Sequence, residues 1–395
     1  MSRNPNGVTK TGMRTQNLSA LLTHVHHRGV VSRTELVESL GLSKTTVSAL
    51  IDELSALGLL ESAGAQPRTG AGRPGELMAP STRPVVLVVN PEIDGTTIAL
   101  VAMGGRILHK QSLPRSRAQR VTLPSITKQI QQFLREEVIS ELSVQAAVLV
   151  VPGAVDASTQ TVVAAPSIGW KGVSANASLE RALGIPFTTL NNGRASTIGE
   201  WAFGALRNRQ DGICIFSGTG GIGGGLLVNG TVLAGAQGLA GEIGKMRIHD
   251  SDLGLPGNLS FEHLMRRDAI VSALGFSSLT DEQLREELLA AVKSRAVKPV
   301  EEQRRVLANA LATLRDLLDP EVIVLGGYFG ALLEAQGDAL LREINIGAIA
   351  QRRRGFLVSR SVELVDMVLL GAAETHWKRV LADPVANVDG EKASK

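Results

Sequence analysis

Apolar positions in the first eighty residues recur with helical spacing. Leu18, Leu21, Leu22 and Val25 fall at i, i+3, i+4 and i+7, which predicts an amphipathic helix from Thr15 to about Arg28. A second helix opens at Ser32, with Glu35 three residues on as in a capping box. It carries Leu36, Val37 and Leu40 and stops at Gly41. A third starts at Ser43 and has Val47, Leu50, Ile51 and Leu54 as its buried stripe. A short helix, a turn containing Gly41 and a longer helix make a helix-turn-helix arrangement. The face opposite the stripe holds Thr45, Ser48, Ala49 and Asp52, with Lys44 beside the N-terminus. Short hydroxyl and cationic side chains suit base edges and phosphates in a major groove, so Ser43, Lys44, Thr45, Thr46, Ser48 and Ala49 are candidate DNA contacts. The turn-rich stretch ESAGAQPRTGAGRPGELMAP then predicts a hairpin wing whose tip holds Arg68 and Gly72-Arg73-Pro74. An arginine on a thin Gly/Pro loop suits a narrow minor groove. Helices plus a hairpin also fit a protein-interaction module; the capping signals, the hydroxyl-rich face and the arginine-bearing wing favour duplex DNA.

Beyond residue 80 the pattern changes. Short apolar runs at Val85–Val89, Thr96–Met103, Ala146–Val151, Gly212–Ser217 and Glu321–Leu325 predict strands. Helical patterns separate them over Leu123–Leu142 and Gln303–Leu318, and another long apolar helix covers 362–382. Such alternation implies an α/β architecture with ligands at the strand ends. The glycine cluster at 218–225 fits a cradle of backbone N–H groups around an anion, and equally a tight hairpin needing positive φ. The expected organisation is a flexible basic arm at 1–14, a winged helix-turn-helix at 15–80, a two-part α/β body at 81–383 and a disordered tail at 384–395.

Composition narrows the class. The chain has 395 residues, 44% hydrophobic, 20% charged and 3% aromatic, which predicts several domains with aliphatic cores. The start MSRNPNGVTK has no apolar h-region and no run of about 18 apolar residues occurs, so a cytoplasmic protein without membrane contact is expected. Cys214 is the single cysteine, which excludes an intrachain disulfide and a cysteine zinc cage; within an apolar strand it reads as a small buried hydrophobe. No cofactor is expected. Net charge is +3, and the first eighty residues hold eight Lys or Arg against six acids. Arg3, Lys10 and Arg14 make the leading segment basic, which fits phosphate contact or a solvated tail. His24, His26 and His27 have no acid or cysteine beside them, so a helix-end or surface role is expected rather than a metal site.

The segment from Thr15 to about Leu381 resembles the ROK group (repressors, open reading frames, kinases), in its regulator branch. The resemblance rests on GLSKTTVSALIDEL, Gly72-Arg73-Pro74, Val151-Pro152-Gly153, Leu190-Asn191-Asn192, Glu200-Trp201, GTGGIGGG, Ala240-Gly241-Glu242-Ile243-Gly244 and IVLGG before Tyr328. It implies a two-lobed, actin-like ATPase-type domain behind the winged helix, operator DNA as partner, a sugar, sugar derivative or other small anionic metabolite as effector, and a homodimer or homotetramer. A sugar kinase with an accessory N-terminal domain is the alternative. Departures decide between them. The family's kinases carry a general-base aspartate where this chain has Asn192, and an amide cannot take a proton from a hydroxyl. The family's first phosphate loop reads Asp-x-Gly-Gly-Thr; here Glu92-Ile93-Asp94-Gly95-Thr96 places an acid near phosphate. The family's zinc histidine is replaced by Lys245 and its cysteines by Ser251, Leu253 and Asn258, which cannot cage zinc. The resemblance assigns effector contacts to Gly153, Asn191, Asn192, Glu242, Lys245 and Ser260, of which Asn192, Lys245 and Ser260 depart from the family's residues. Lys245 fits an anionic effector or a salt bridge to Glu242. The helices at 303–318 and 362–382 fit either an oligomer interface or the domain core.

Overall fold

A computed structural model describes residues 10–65, 76–116, 118–136, 139–218, 220–248, 259–294, 297–345, 357–361 and 364–389. The N-terminal module is α1 (Lys10–Arg28), β1 (Val31–Ser32), α2 (Arg33–Leu40), α3 (Lys44–Ala56), β2 (Leu60–Ala65) and β3 (Glu76–Pro80). Local chemistry sets its ends. The Ser32 hydroxyl accepts from the Glu35 N–H, Gly41 closes α2 at φ 65°, and the Ser43 hydroxyl accepts from the Thr46 N–H. Val47, Leu50, Ile51 and Leu54 are buried as the spacing requires. β3 lies between β1 and β2, all antiparallel, so the wing is stitched to the helices.

The first lobe of the body contains β4 (Pro84–Pro91), β5 (Gly95–Ala102), β6 (Arg106–Pro114), α4 (Leu123–Phe133), β7 (Ser143–Val151), the small sheet β8 (Ala154–Val155), β9 (Val162–Ala165) and β10 (Trp170–Val173), then α5 (Asn176–Leu183) and β11 (Phe187–Asn191). Its main sheet has the order β11-β7-β4-β5-β6. β4 is buried on both faces: Val85, Leu87 and Val89 join one core with α4 and α5, and Val86 and Val88 join another.

After α6 (Asn192–Phe203) the second lobe follows, with β12 (Gly212–Gly218), β13 (Gly221–Val228), β14 (Thr231–Val232), α7 (Phe261–Leu264), α8 (Arg267–Ala273), α9 (Asp281–Ser294), α10 (Lys298–Leu318), β15 (Val322–Gly327), α11 (Tyr328–Ile344) and β16 (Leu357–Arg360). Its sheet order is β14-β13-β12-β15-β16. The chain then returns through α12 (Leu364–Ala382), which packs on α6 and the first-lobe sheet, and ends in α13 (Pro384–Asp389). Gly371 and Gly199 let α12 and α6 touch backbone to backbone: a Cβ on Gly371 would overlap the Ala195 carbonyl, and one on Gly199 the Met367 carbonyl.

Several expectations need correction. The basic arm does not reach residue 14: α1 begins at Lys10, and Arg14 lies in it, 2.8 Å from Glu53 of α3. The helix expected over Leu123–Leu142 stops at Phe133, because Glu136 is drawn to His109 on β6 at 2.7 Å. The tail at 384–395 starts as a helix, α13, held against α12 and α1. The apolar faces of α10 and α12 belong to the intrachain cores. The glycine cluster forms an antiparallel hairpin, with Gly223 under the Phe216 ring and Gly225 against Thr197. Cys214 is fully buried in β12, and burial pushes its thiol up to about 12.

The module is not loosely tethered. Its Leu18, Leu36, Val47 and Leu54 share one hydrophobic cluster with Val86 and Val88 of β4 and Ala372 and Trp377 of α12. α12 thus forms part of the floor on which the module packs.

Candidate DNA interface and effector cleft

On α3, Ser43, Lys44, Thr45 and Ala49 are exposed and Thr46 and Ser48 are half-buried. Ser43 ties the first turn together, its hydroxyl 2.8 Å from both the Thr45 and the Thr46 hydroxyl. Thr45, Thr46 and Ala49 border a groove of about 570 Å³ whose other wall is Met13, Arg14 and Asn17 of α1. Ser48 has a different task. Its hydroxyl accepts from Arg33 at 3.0 Å, and the same guanidinium pairs with Glu76 of β3 at 2.7 Å. Arg33 therefore fixes the wing against the recognition helix, a role that only the tertiary structure reveals. Arg68, Gly72, Arg73 and Pro74 lie outside the described residues.

Between the lobes, the sequence-predicted effector residues divide by occupation. Asn191 caps α6: its Oδ1 accepts from the Arg194 N–H at 2.9 Å, and its Nδ2 donates to the Gly153 carbonyl at 2.8 Å. Gly153 is pressed against Ala164 and Ala165, where no Cβ would fit. Both residues are engaged in local backbone structure. Asn192, the next residue, donates to Glu92 Oε1 at 3.4 Å. Glu92 follows β4, and burial raises its carboxyl pKa to about 7, while the amides of Asn192 and Asn90 pull it down. Across the cleft its Oε2 stands 3.3 Å from the point a Cβ on Gly220 would occupy, at the tip of the β12–β13 hairpin.

Lys245 does not bridge Glu242. Its ammonium donates to Glu262 at 2.6 Å, and the Glu242 carboxyl is raised chiefly by desolvation, with the Lys245 charge pulling it back. Glu262 escapes sequence reasoning because nothing in its spacing sets it apart from a surface helix acid. Its Oε1 lies 2.6 Å from a Cβ built on Gly221, so it faces the same hairpin as Glu92. Ser260 is bonded to His263 Nδ1 at 2.6 Å. A cation committed to Glu262 cannot ligate zinc, so Lys245 does not fit the family's zinc role; Ser251, Leu253 and Asn258 lie outside the described residues.

The far end of α6 meets the N-terminal module. His26, expected at a surface, is 1% exposed and its Nε2 lies 2.8 Å from Glu374 Oε2 of α12. The Gly104 N–H donates to its Nδ1 at 3.0 Å, so Nδ1 must be the acceptor and Nε2–H the donor to Glu374. Phe203, the last residue of α6, packs on the His26 ring at 5.5 Å. Trp201 sits between the His27 ring at 6.4 Å and the Lys378 ammonium at 5.7 Å. Burial holds His27 below its ordinary pKa, and His26 beside it adds to the effect.

Comparison with known proteins places this geometry. A ROK family model matches residues 92–371. The chain belongs to the ROK family. A MarR family model matches residues 9–69, the winged module. A xylose repressor of Caldicellulosiruptor bescii is 23% identical over 327 residues, covering 77% of this chain and 81% of that protein. A glucokinase of Halalkalibacterium halodurans is 27% identical over 282 residues, 65% of this chain and 83% of that protein. Among solved structures, a ROK family transcriptional regulator described as a homolog of the E. coli MLC protein superposes with a TM-score of 0.71 at 20% identity, over 95% of this chain and 99% of that one. The body has the two-lobed, actin-like ROK fold, and the chain is a ROK transcription regulator that binds DNA through a winged helix-turn-helix. At the position where the resemblance places the kinases' base, the Asn192 amide cannot take a proton from a hydroxyl, and the Glu92 carboxyl reaches from the first loop to the hairpin. Among the described residues no helix is long and apolar enough to cross a membrane.

Proposed function

We propose that this ROK regulator binds its operator as a homodimer, or a pair of dimers, and that a neutral sugar in the interlobe cleft controls that binding. The observation that carries the reading is the placement of α6. Its first residue, Asn192, lines the cleft, and its last, Phe203, touches His26 of the module. Twelve helical residues span about 18 Å, so a rigid rod joins the two sites. Through the Gly199–Gly371 contact, any tilt of α6 must displace α12, which carries Glu374. A sugar that closes the lobes on α6 thus changes how the module is held.

Ser43, Lys44, Thr45, Thr46 and Ala49 read the major groove, with Ser48 supporting the wing; Arg68, Gly72, Arg73 and Pro74, outside the described residues, are the minor-groove candidates by sequence. One recognition helix covers few base pairs, so two copies on two half-sites supply selectivity. A neutral effector suits the cleft because Lys245 is already paired with Glu262, and any ionised fraction of Glu92 and Glu242 adds negative charge that disfavours an anion. The name of the Caldicellulosiruptor bescii relative makes D-xylose the first probe.

The test is fluorescence anisotropy of the full-length protein on duplex from upstream of its own gene, at two salt concentrations and with unrelated duplex as competitor. Binding that survives competitor, falls with salt and shifts at least fivefold with an aldose is expected. Binding that competitor abolishes, or that no aldose in a pentose and hexose panel changes, overturns the reading.

A further inference from the structure

Taking the cleft as a sugar site leaves a chemical deficit. Sugar hydroxyls are held best by carboxylates, because a charge-assisted hydrogen bond is about twice as strong as a neutral one. Position 192, at the mouth of α6, offers only an amide. The acid missing there is present from another direction. Glu92, one residue past β4, places Oε1 3.4 Å from the Asn192 Nδ2 and Oε2 beside Gly220. A glutamate at 92 reaches one methylene further than an aspartate would, which is what brings its carboxyl to Asn192.

The surroundings are those of a site awaiting a polar ligand. Asn90, two residues earlier and on β4, is 5% exposed and its Oδ1 has no partner among the described residues. The Ser167 hydroxyl is likewise buried and unpartnered, and it lies 3.8 Å from the same Gly220 point that Glu92 approaches. An unpaired buried polar group is costly, so a cluster of them persists where a ligand supplies the missing partners. Among the described residues no cation forms a salt bridge with the carboxyl: Arg115 donates to the Glu92 and Gly95 carbonyls and to Thr96.

We propose that Glu92 is the hydroxyl-binding carboxyl of the effector site, supplied from the first lobe in place of the acid absent at Asn192, and that it selects a neutral polyhydroxylated ligand held together with Asn192 and Ser167. This rests on the reading of the cleft as a sugar site. Burial brings the carboxyl pKa to about 7, and either protonation state retains an oxygen that accepts a sugar hydroxyl.

The experiment is isothermal titration of the full-length protein with D-xylose and with D-glucose. Glu92→Gln weakens binding tenfold or more while the protein still unfolds in a cooperative thermal transition no lower than that of wild type. Glu92→Asp, which keeps the charge but withdraws it by one methylene, weakens binding as well and covers the case in which the amide variant does not fold. Adding Asn192→Asp to Glu92→Gln returns an acid to the pocket and restores affinity to within threefold of wild type. Glu92 variants that bind within threefold of wild type overturn this inference and leave the sugar reading standing. A wild-type protein that takes up neither sugar at tens of millimolar overturns both.

Discussion

Replacing His26 by Phe tests how the module is held. The substitution keeps a ring against Phe203 and removes both ring nitrogens, so Glu374 loses its donor and the Gly104 N–H its acceptor. A hydrogen bond to a charged group contributes about 1.5–3 kcal/mol and a neutral one about 0.5–1.5 kcal/mol. Water cannot easily replace either, since His26 and Glu374 are 1% and 2% exposed. The loss is then about 3 kcal/mol, and a stranded carboxylate pushes it upward. At about 1.4 kcal/mol per tenfold, docking of the module weakens roughly a hundredfold. Hydrogen–deuterium exchange on the full-length protein reads this directly. Peptides covering the last turn of α1 and residues 103–105 exchange about a hundredfold faster in His26→Phe, while those in α3 keep wild-type protection because the Val47–Leu54 stripe is untouched. Exchange within threefold of wild type at 103–105 refutes the reasoning. Loss of protection in α3 refutes it in another way, by making His26 part of the module's own core.

Three further outcomes follow from the same structure. Ser43→Ala removes the cap of α3 and lowers module stability by about 1 kcal/mol, visible as an earlier loss of operator binding on heating. Gly371→Ala forces α12 off the Ala195 carbonyl and costs about 1–3 kcal/mol or more, read as a lowered melting temperature; an unchanged melt would mean the two helices are not in backbone contact. Glu92 holds its proton more tightly in the folded protein than in the unfolded chain, so the stability it contributes is complete below about pH 4.5 and is withdrawn as pH rises through about 7. Glu92→Gln should melt close to wild type at pH 5 and above it at pH 8, and a difference that stays flat across that range would remove burial as the cause.

The winged helix was legible because its determinants are local. Ser32, Gly41 and Ser43 act within one helical turn, and the period of Val47, Leu50, Ile51 and Leu54 needs no partner to be read. The limits of the other elements depended on remote contacts. Periodicity alone carries α4 on to Leu142, but Glu136 is captured by His109 on a neighbouring strand. Glycines at 218–225 signalled an unusual backbone without saying why. Gly221 takes a positive φ, whereas Gly223 and Gly225 are small because Phe216 and Thr197 fill their places.

Pairing across the fold was the least legible. Lys245 had two carboxylates within reach, and the one it takes, Glu262, arrives on α7 after a loop whose length says nothing about its direction. His26 stands 348 residues from Glu374, and no local pattern joins them. Both contacts carry the regulatory reading. One decides the charge of the cleft, and the other decides how the module is seated. A single substitution at a motif position, as at Asn192, replaces the carboxylate by an amide that cannot act as a base. Seating a DNA-binding module on the same lobes instead requires a contact such as His26 to Glu374, made where α6 and α12 already converge. A regulator of this design is therefore set apart from a kinase less by the residues missing from its cleft than by what its interlobe helices hold at their other end.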